Sequence, residues 1–206
     1  MKIIITGVCG LVGRRIASHL LGQGHVIFGI GRTQCENMDA RLLTNFVRMD
    51  LSSINAVEEL NKVITTDIDL IIHCAAQQPR PELLFKEYLK GNVDTTENIA
   101  EWAKNANVQT IISFSTLAFL DLPLEDGVKI TELVKANPKN YYALSKLASE
   151  SYLRIFGSNS NISVLCFRIP SLVHEEQQGG VAYTFWNSAL QNTDIDIYDN
   201  GQFRRN

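Results

Sequence analysis

Hydrophobic positions along the chain fall into two alternating patterns. Short apolar runs, rich in β-branched residues and bounded by Gly, Asp, Asn or Ser, predict strands at residues 3–6, 26–30, 46–49, 70–73, 109–114 and 163–167. The longer stretches between them have apolar residues at helical spacing and predict helices at residues 11–21, 54–64, 83–105 and 141–156. This alternation predicts an α/β fold with a parallel sheet and helices on both of its faces.

The remaining segments are less regular. Residues 117–140 form the longest stretch without a clear pattern, and a loop of this length is uncommon unless it is functional. Near the C-terminus we predict a helix at residues 182–191 and a strand at residues 195–198. The pattern then stops at Arg204, Arg205 and Asn206 without a closing element.

Composition narrows the class of protein. A length of 206 residues suggests one domain of about 150 residues and a remainder. The 45% hydrophobic content speaks against disorder, and the net charge of −3 speaks against a general affinity for nucleic acid. No apolar run approaches the roughly 18 residues of a membrane span, and we expect no cleavable leader before the first strand.

The four cysteines lie far apart, with no CxxC pair and no His/Cys cluster at metal-ligand spacing. They are Cys9, Cys35, Cys74 and Cys166. We therefore expect no metal site, and reduced cysteines in a cytoplasmic protein.

A glycine-rich loop lies between the first strand and the first helix, where residues 6–13 read Thr-Gly-Val-Cys-Gly-Leu-Val-Gly. Gly7 would allow the tight turn, Gly10 would let the backbone approach a pyrophosphate, and Gly13 would let helix and strand pack closely. The position between a strand and an amphipathic helix favours dinucleotide binding over a glycine-rich turn without a ligand. The predicted cofactor contacts in this loop are Gly7, Cys9, Gly10, Leu11, Val12 and Gly13.

The end of the second strand favours NADP over NAD. It carries Arg32 and no carboxylate, and a guanidinium suits the extra phosphate of NADP. NAD stays an alternative, as does an Arg32 that is only a solvated surface residue. After the third strand come Asp50 and Leu51, where the carboxylate either accepts from the adenine amino group or caps the next helix.

The fourth strand runs into His73 and then three small residues that would let the backbone come close to the cofactor: Cys74, Ala75 and Ala76. His73 and Cys74 are interpreted as packing residues rather than catalysts.

Tyr142 and Lys146 are one helical turn apart and share one face of their helix. For a phenol to exchange protons near neutrality its pKa has to fall by about three pH units, or about 4 kcal/mol. An ammonium at ~4 Å supplies about that much at an effective dielectric constant of 20. A strand with the hydroxyls Ser113, Ser115 and Thr116 precedes this helix, and Ser115 is the candidate for holding a substrate oxygen.

Several of these segments, taken in order, resemble an extended short-chain dehydrogenase/reductase. They are the glycine loop, Asp50-Leu51, residues 73–76, Asn92-Val93, Ser115, the Tyr142/Lys146 pair and residues 168–170. More narrowly, they resemble the NAD(P)-dependent epimerase/dehydratase family acting on nucleotide sugars. The resemblance implies a doubly wound, Rossmann-type sheet and covers nearly the whole chain.

The same resemblance implies roles for individual residues. Tyr142 would be the catalytic acid/base, Lys146 would bind the nicotinamide ribose and lower the pKa of Tyr142, and Ser115 would position the substrate oxygen. Asn92 would support Lys146 through water, although a polar residue at a helix break is an equally good interpretation. Arg168 is interpreted as a buried structural cation and not as a catalytic residue.

Three departures from the family pattern shape the functional prediction. Thr116-Leu117 stands where dehydratases carry an acidic pair, so we do not expect sugar 4,6-dehydration. Residues 171–174 lack the usual Asn and Gly-containing turn, and members usually continue for about a hundred residues beyond the point equivalent to Asn206. We therefore expect an NAD(P)-binding catalytic domain at residues 1–170 and an apparently truncated substrate lobe at residues 171–206.

The leading prediction is an NAD(P)-dependent epimerase or reductase that transfers a hydride to or from a hydroxyl or carbonyl carbon of a nucleotide sugar. The alternative is a non-catalytic NADP-binding sensor or scaffold module of the same fold, favoured by the short substrate lobe and disfavoured by the intact Tyr, Lys and Ser positions. The resemblance also implies a possible homodimer that pairs through the helices at residues 83–105 and 141–156.

Overall fold

In the computed structural model, which describes residues 1–33, 45–120, 130–174 and 180–197, one sheet has the strand order β3-β2-β1-β4-β5-β6. The strands are β1 (Lys2–Thr6), β2 (Val26–Gly31), β3 (Phe46–Arg48), β4 (Leu70–His73), β5 (Thr110–Thr116) and β6 (Ser163–Ile169). The helices are α1 (Leu11–Gly22), α2 (Ala56–Val63), α3 (Phe85–Tyr88), α4 (Thr95–Asn105), α5 (Tyr141–Ser158) and α6 (Val181–Gln191). The winding reverses between β1 and β4, so the predicted doubly wound Rossmann fold is confirmed.

β1 lies at the centre of the sheet and is covered on both faces. Ile3, Ile4 and Ile5 are all buried, and the strand pairs in parallel with β2 and β4. Because alternate side chains point to opposite faces, β1 contributes to two core clusters. Ile4 packs in one cluster with Leu60, Trp102 and Leu153, and Ile3 and Ile5 pack in the other with Ala17 and Leu21.

The parallel register aligns the carboxyl ends of the central strands. Thr6 of β1 lies opposite His73 of β4, which in turn lies opposite Ser113 of β5. The segments that follow these three residues therefore emerge side by side at one edge of the sheet. In open α/β sheets this edge, next to the point where the winding reverses, is where ligands bind.

The helix predicted at residues 83–105 is not continuous. It divides into α3, a π-helical turn (Leu89–Asp94) and α4. Two hydroxyls satisfy carbonyl groups of this wider turn: Thr95 Oγ1 donates to the Lys90 oxygen at 3.2 Å, and Thr96 Oγ1 donates to the Asn92 oxygen at 2.6 Å. Hydrophobic periodicity alone did not reveal this break.

The chain divides into two compact units, the first comprising Met1–Asp121 with Lys135–Arg168 and the second comprising Leu122–Val134 with Ile169–Asn206. The second unit includes α6, which confirms the helix predicted at residues 182–191, and none of its described residues is buried. The strand predicted at residues 195–198 is wrong for residues 195–197, while residue 198 lies outside the described residues. The assignment of a cofactor domain and a substrate lobe stays a prediction.

Over the described ranges, no helix is long and apolar enough to cross a membrane. Within the same ranges, no group of three or more His, Cys, Asp or Glu residues is arranged to hold a metal ion.

Candidate active site

The glycine loop joins β1 to α1 and packs against the backbone that follows β4. Gly7 has a φ of 63°, and a Cβ there would lie 2.7 Å from both the Cα and the N of Ala75, so a side chain at this position would be both strained and sterically blocked. At Gly13, a Cβ would lie 2.9 Å from the Cα of Val8. Both glycines are therefore required by close backbone approach.

The N-terminus of α1 is suited to an anion. Its N-cap, Gly10, provides no capping side chain, and the first turn contains no acidic residue. A Cβ on Gly10 would meet only the Gly7 oxygen, at 3.2 Å. The first-turn N–H groups, which include those of Leu11 and Val12, have no partner within the helix, and the helix dipole is positive here. These features fit the pyrophosphate of a dinucleotide.

The state of the cysteine in this loop differs from the expectation that all cysteines are reduced. Cys9 is disulfide-bonded, whereas Cys74 and Cys166 carry free thiols. The wide spacing of the cysteines along the chain therefore did not exclude a disulfide bond. Cys35 lies outside the described residues.

Asp50 and Arg32 lie at the neighbouring strand ends. Asp50 Oδ1 accepts hydrogen bonds from the backbone N and the Oγ of Ser52, at 3.1 and 2.7 Å. Partial burial acts to raise the pKa of Asp50, but these hydrogen bonds and the charges of Lys90 and Arg32 lower it overall. Because α2 begins at Ala56 after Asn55, the helix-cap role considered for Asp50 is wrong.

Leu51 and Arg32 differ in how they can meet a ligand. Leu51 is 4% exposed and packs in the core, so only its backbone can face the cofactor. Arg32 is exposed, and its backbone oxygen accepts from Nε of Arg48 at 3.2 Å. Arg32 thus lies exposed at the end of β2, where its charge acts on Asp50.

Small residues follow β4, as the sequence indicated. The backbone N of Ala75 donates to Thr6 Oγ1 at 3.1 Å, which ties this segment to the end of β1. Burial raises the pKa of the Cys74 thiol to about 12, with Lys146 acting weakly in the opposite direction. Cys74 therefore stays a protonated thiol, and Ala75 and Ala76 are only half-buried beside the glycine loop.

α5 presents Tyr142 and Lys146 on one face. The helix begins after Asn140, whose side chain accepts from the Ala143 N at 2.8 Å and so fixes where the first turn starts. Tyr142 is half-buried with the ring of Tyr88 edge-on at 6.4 Å between centroids, and Lys146 is buried one turn later. The predicted pairing on one helical face is present.

The pKa of Tyr142 shifts in the direction opposite to the expectation. Burial raises it, and the influence that lowers it is a hydrogen bond with the side chain of Thr116, not the charge of Lys146. The ammonium of Lys146 instead interacts electrostatically with Cys166, Cys74 and Glu150. In the chain by itself Lys146 is thus not among the causes of the Tyr142 pKa shift, and its role in lowering this pKa stays a prediction.

Lys146 has a strongly perturbed amine. Burial lowers its pKa from 10.5 to about 8, and the nearby Cys166, Cys74 and Glu150 only partly offset this. Such a shift, in a buried lysine beside a candidate acid/base, is typical of functional sites. At pH 7 the amine is still mostly the ammonium, as binding to a ribose hydroxyl requires.

Ser115 and Thr116 at the end of β5 have different surroundings. Ser115 Oγ is buried and has no hydrogen-bond partner within the described structure. Thr116 Oγ1 accepts from the Ala118 N at 3.1 Å and also bonds Tyr142. Because unsatisfied buried hydroxyls are rare, the Ser115 hydroxyl is suited to form its hydrogen bond with a ligand oxygen. Thr116, whose contact with Tyr142 the sequence analysis missed, fits a support for that tyrosine.

Asn92 lies in the π-helical turn and is 1% exposed. Its Oδ1 accepts from the Gln77 N at 2.6 Å, and its Nδ2 donates to Ser145 Oγ at 2.8 Å. The side chain therefore bonds the segment after β4 and the residue before Lys146. The helix-break interpretation of Asn92 is confirmed, and its support of Lys146 through water stays a prediction.

Arg168 is a structural cation, as the sequence indicated, but it is half-buried rather than buried. Its NH2 lies 2.6 Å from Glu150 Oε1, its Nε donates to the same carboxylate at 3.0 Å, and its guanidinium lies 5.2 Å from the ring centroid of Phe119. The bidentate pair fastens the end of β6 to α5.

Tyr88 is a second contributor that sequence reasoning missed. It is 4% exposed, and its hydroxyl accepts from the Arg80 N and donates to the Arg80 oxygen, both at 2.9 Å. Tyr88 thus holds the segment after β4 while its ring contacts Tyr142. The signal available in the sequence was only an aromatic residue three positions before Gly91.

Comparisons with known proteins place the chain in a family. A model of the NAD dependent epimerase/dehydratase family matches residues 3–206. UDP-glucose 4-epimerase of Corynebacterium glutamicum is 30% identical over 168 residues, covering 76% of this chain and 48% of that protein. UDP-2-acetamido-2,6-beta-L-arabino-hexul-4-ose reductase of Pseudomonas aeruginosa is 28% identical over 200 residues, covering 96% of this chain and 43% of that protein.

Solved structures show the same fold. UDP-glucuronic acid 4-epimerase from Bacillus cereus, in complex with UDP-glucuronic acid and NAD, is similar with a TM-score of 0.80 and 21% identity, over 98% of this chain and 67% of that chain. The chain spans 48%, 52% and 43% of the length of three curated relatives that it matches.

Proposed function

The chain belongs to the NAD-dependent epimerase/dehydratase family, and on that premise we propose that it is an epimerase or a reductase acting on a nucleotide sugar. It would transfer a hydride to or from a carbon that bears a hydroxyl or a carbonyl. The observation that carries the proposal is the buried, unpartnered hydroxyl of Ser115, adjacent in sequence to the Thr116 that bonds Tyr142. Sugar dehydration is not proposed, because Thr116-Leu117 replaces the acidic pair.

The protein's own groups divide the work. Ser115 Oγ holds the substrate oxygen, and Tyr142 Oη gives a proton to that oxygen or takes one from it. Lys146 binds the nicotinamide ribose and adds positive charge near the phenol. When bound, the nicotinamide accepts and donates the hydride at C4 and contributes its own positive charge in the oxidised form. These charges would offset the effect of burial, which raises the pKa of Tyr142 in the chain alone.

Tyr142→Phe tests this assignment, with Tyr141→Phe as the matched control. Tyr141 precedes Tyr142 in the same helix, is 55% exposed and packs against Phe85. We expect Y142F to abolish turnover of UDP-sugars, because the phenol proton is gone, and to leave nucleotide affinity nearly unchanged. Y141F should keep both. Unaltered turnover in Y142F would show that Tyr142 is not the acid/base.

We also propose NADP as the preferred nucleotide, with NAD as the alternative. Arg32 is exposed at the end of β2, where the 2′-position of the adenosine ribose lies in such folds. Relatives with NAD bound and the neighbouring carboxylate of Asp50 support the alternative. The ligand retained by the purified protein, identified by mass spectrometry of the denatured extract, tests the choice directly.

Arg32→Ala gives a second, quantitative test. A charge-assisted contact with phosphate is worth about 1.5 kcal/mol or more, so NADP affinity should fall by about tenfold or more. NAD affinity should change by no more than about twofold. Arg154→Ala, at an exposed position near the C-terminal end of α5, is the control and should affect neither nucleotide. Equal losses for both nucleotides in R32A would exclude a 2′-phosphate contact.

The second candidate function is a non-catalytic NADP-binding sensor or scaffold. The observation that favours it is the segment of residues 171–174, which is exposed at residues 171–173 and departs from the family's substrate-binding turn. A sensor would retain nucleotide yet turn over no UDP-hexose or UDP-hexuronic acid with either cofactor. Turnover by the wild-type chain that Y142F abolishes would exclude it.

A homodimer and a cytoplasmic location complete the proposal. Exposed apolar residues of α5, Leu144 and Ile155, and a cavity of about 260 Å³ between α4 and α5 support pairing through these helices. Light scattering after gel filtration tests the dimer, since a monomer at micromolar concentration would contradict it.

A further inference from the structure

His73 is buried in a continuous line of hydrogen bonds at the edge where the glycine loop emerges. Its Nδ1 lies 2.8 Å from Thr6 Oγ1, and its Nε2 lies 3.2 Å from Thr96 Oγ1. The imidazole is 2% exposed, and both hydroxyls are buried. Packing alone would be served better by an apolar residue, because burying a polar ring requires satisfying both nitrogens.

The surrounding donors assign the tautomer. Thr96 Oγ1 donates its single proton to the Asn92 oxygen at 2.6 Å, so toward His73 it can only accept. Nε2 of His73 therefore carries the proton. The neutral ring then accepts at Nδ1 from the hydroxyl of Thr6, which itself accepts from the Ala75 N.

The line continues from Asn92 into the helix of the candidate acid/base. Asn92 Nδ2 donates to Ser145 Oγ at 2.8 Å, and Ser145 Oγ donates to the backbone oxygen of Tyr142 at 2.8 Å. This series of hydrogen-bonded residues begins at Thr6 and ends at Tyr142. It thus links the loop that would hold the pyrophosphate with the first turn of α5.

We infer that His73, as the Nε2-protonated neutral imidazole, is a positioning residue that joins the glycine loop through Thr6 to the Asn92 turn and the Tyr142 helix through Thr96. The inference rests on the proposed function for its catalytic consequence. Burial, with a smaller effect from the charge of Lys146, lowers the pKa of His73 to about 3, which agrees with a ring that stays neutral.

Two substitutions of His73 each keep one hydrogen bond of the imidazole ring and remove the other. An Asn side chain reaches the place of Nδ1 and can still accept from Thr6, whereas a Gln side chain reaches the place of Nε2 and can still donate to Thr96. We expect H73N to lower kcat by about tenfold with nucleotide affinity within about twofold of wild type, because the Thr96 hydroxyl then loses the hydrogen bond that it accepts from the ring. We expect H73Q to weaken nucleotide affinity by about tenfold and to lower kcat less.

Thr96→Val and Thr95→Val are a matched pair. Both residues are buried, and both hydroxyls cap a carbonyl of the π-helical turn, but only Thr96 contacts His73. We expect T96V to reproduce the kcat loss of H73N, and T95V to keep wild-type kcat and nucleotide affinity. Equal losses in T95V and T96V, or parallel changes of kcat and affinity in H73N and H73Q, would mean a merely structural role and overturn the inference.

A spectroscopic measurement separates this inference from the proposed function. In protein with ¹⁵N-labelled histidine, the signals lost in H73Q assign His73. We expect a protonated Nε2 and an unprotonated Nδ1 in the free protein. A charged ring or an Nδ1-protonated ring would refute the inference whether or not the protein turns over a sugar. The expected tautomer in a wild-type protein without turnover would refute only the proposed function.

Discussion

The ammonium of Lys146 destabilises the folded chain at neutral pH, and we expect Lys146→Met to relieve this. Burial lowers the pKa of Lys146 from 10.5 to about 8 in the folded chain. That difference corresponds to about 3 kcal/mol, since one pH unit is worth about 1.4 kcal/mol. Met has a similar length and no charge, so K146M should raise the free energy of unfolding at pH 7 by up to about 3 kcal/mol.

The sign of the pH dependence gives a sharper test. Between about pH 8 and 10.5 the unfolded chain binds a proton on this amine that the folded chain has released, so the stability of the wild type rises with pH through this interval. The destabilisation is complete below about pH 8 and is lost above pH 10.5. The advantage of K146M should therefore be largest at pH 7 and should shrink toward pH 10.

Urea denaturation of the nucleotide-free protein at pH 7 and pH 10 measures this difference. Lys104→Met, at an exposed position of α4, is the control and should show no such pH-dependent gain. The shift in Tm at pH 7 should be roughly 6–12 °C for a chain of this size. A K146M protein that is less stable than wild type at pH 7, or whose advantage is the same at both pH values, would refute the reasoning.

Two further predictions concern the glycine loop and the phenol. Gly7→Ala combines a positive φ with a Cβ 2.7 Å from Ala75, whereas Gly24→Ala has a φ of 82° and nothing within 4 Å of its Cβ. Thermal unfolding should show that G24A lowers the free energy of unfolding by about 1 kcal/mol and that G7A lowers it by at least twice as much. Equal losses would mean that the close approach to Ala75 costs no stability. Thr116→Val removes the hydrogen bond that lowers the pKa of Tyr142, so the phenolate absorbance lost in Y142F should appear at higher pH in T116V; an unchanged titration would contradict this.

Much of the fold could be predicted because it depends on local patterns. The run of Ile3, Ile4 and Ile5 is buried on both faces, as expected for a central parallel strand. The π-helical turn could not be predicted, because it depends on long-range partners. Its stability involves the bond between Asn92 and the Gln77 backbone, and periodicity within a helix carries no information about such contacts.

The placement of the candidate side chains on their helices and strands was more predictable than their electrostatics. The spacing of Tyr142 and Lys146 correctly placed both on one face of α5. The pKa of Tyr142 was not predictable, since it depends on burial and on Thr116 rather than on the lysine one turn away. Charge interactions are decided by which atoms meet in space, and sequence spacing constrains only one helix at a time.

The reversal of winding between β1 and β4 divides the candidate site residues into two groups that could change independently in evolution. The strand ends of β1, β2 and β3 carry Gly10, Arg32 and Asp50, and those on the other side carry Ser115, with Tyr142 on the helix beyond. Under the proposed function, the residues that would bind the nucleotide thus lie on one half of the sheet, and the residues that would handle the substrate oxygen lie on the other. A lineage could exchange its coenzyme through changes at one or two strand ends, while selection held the acid/base chemistry constant.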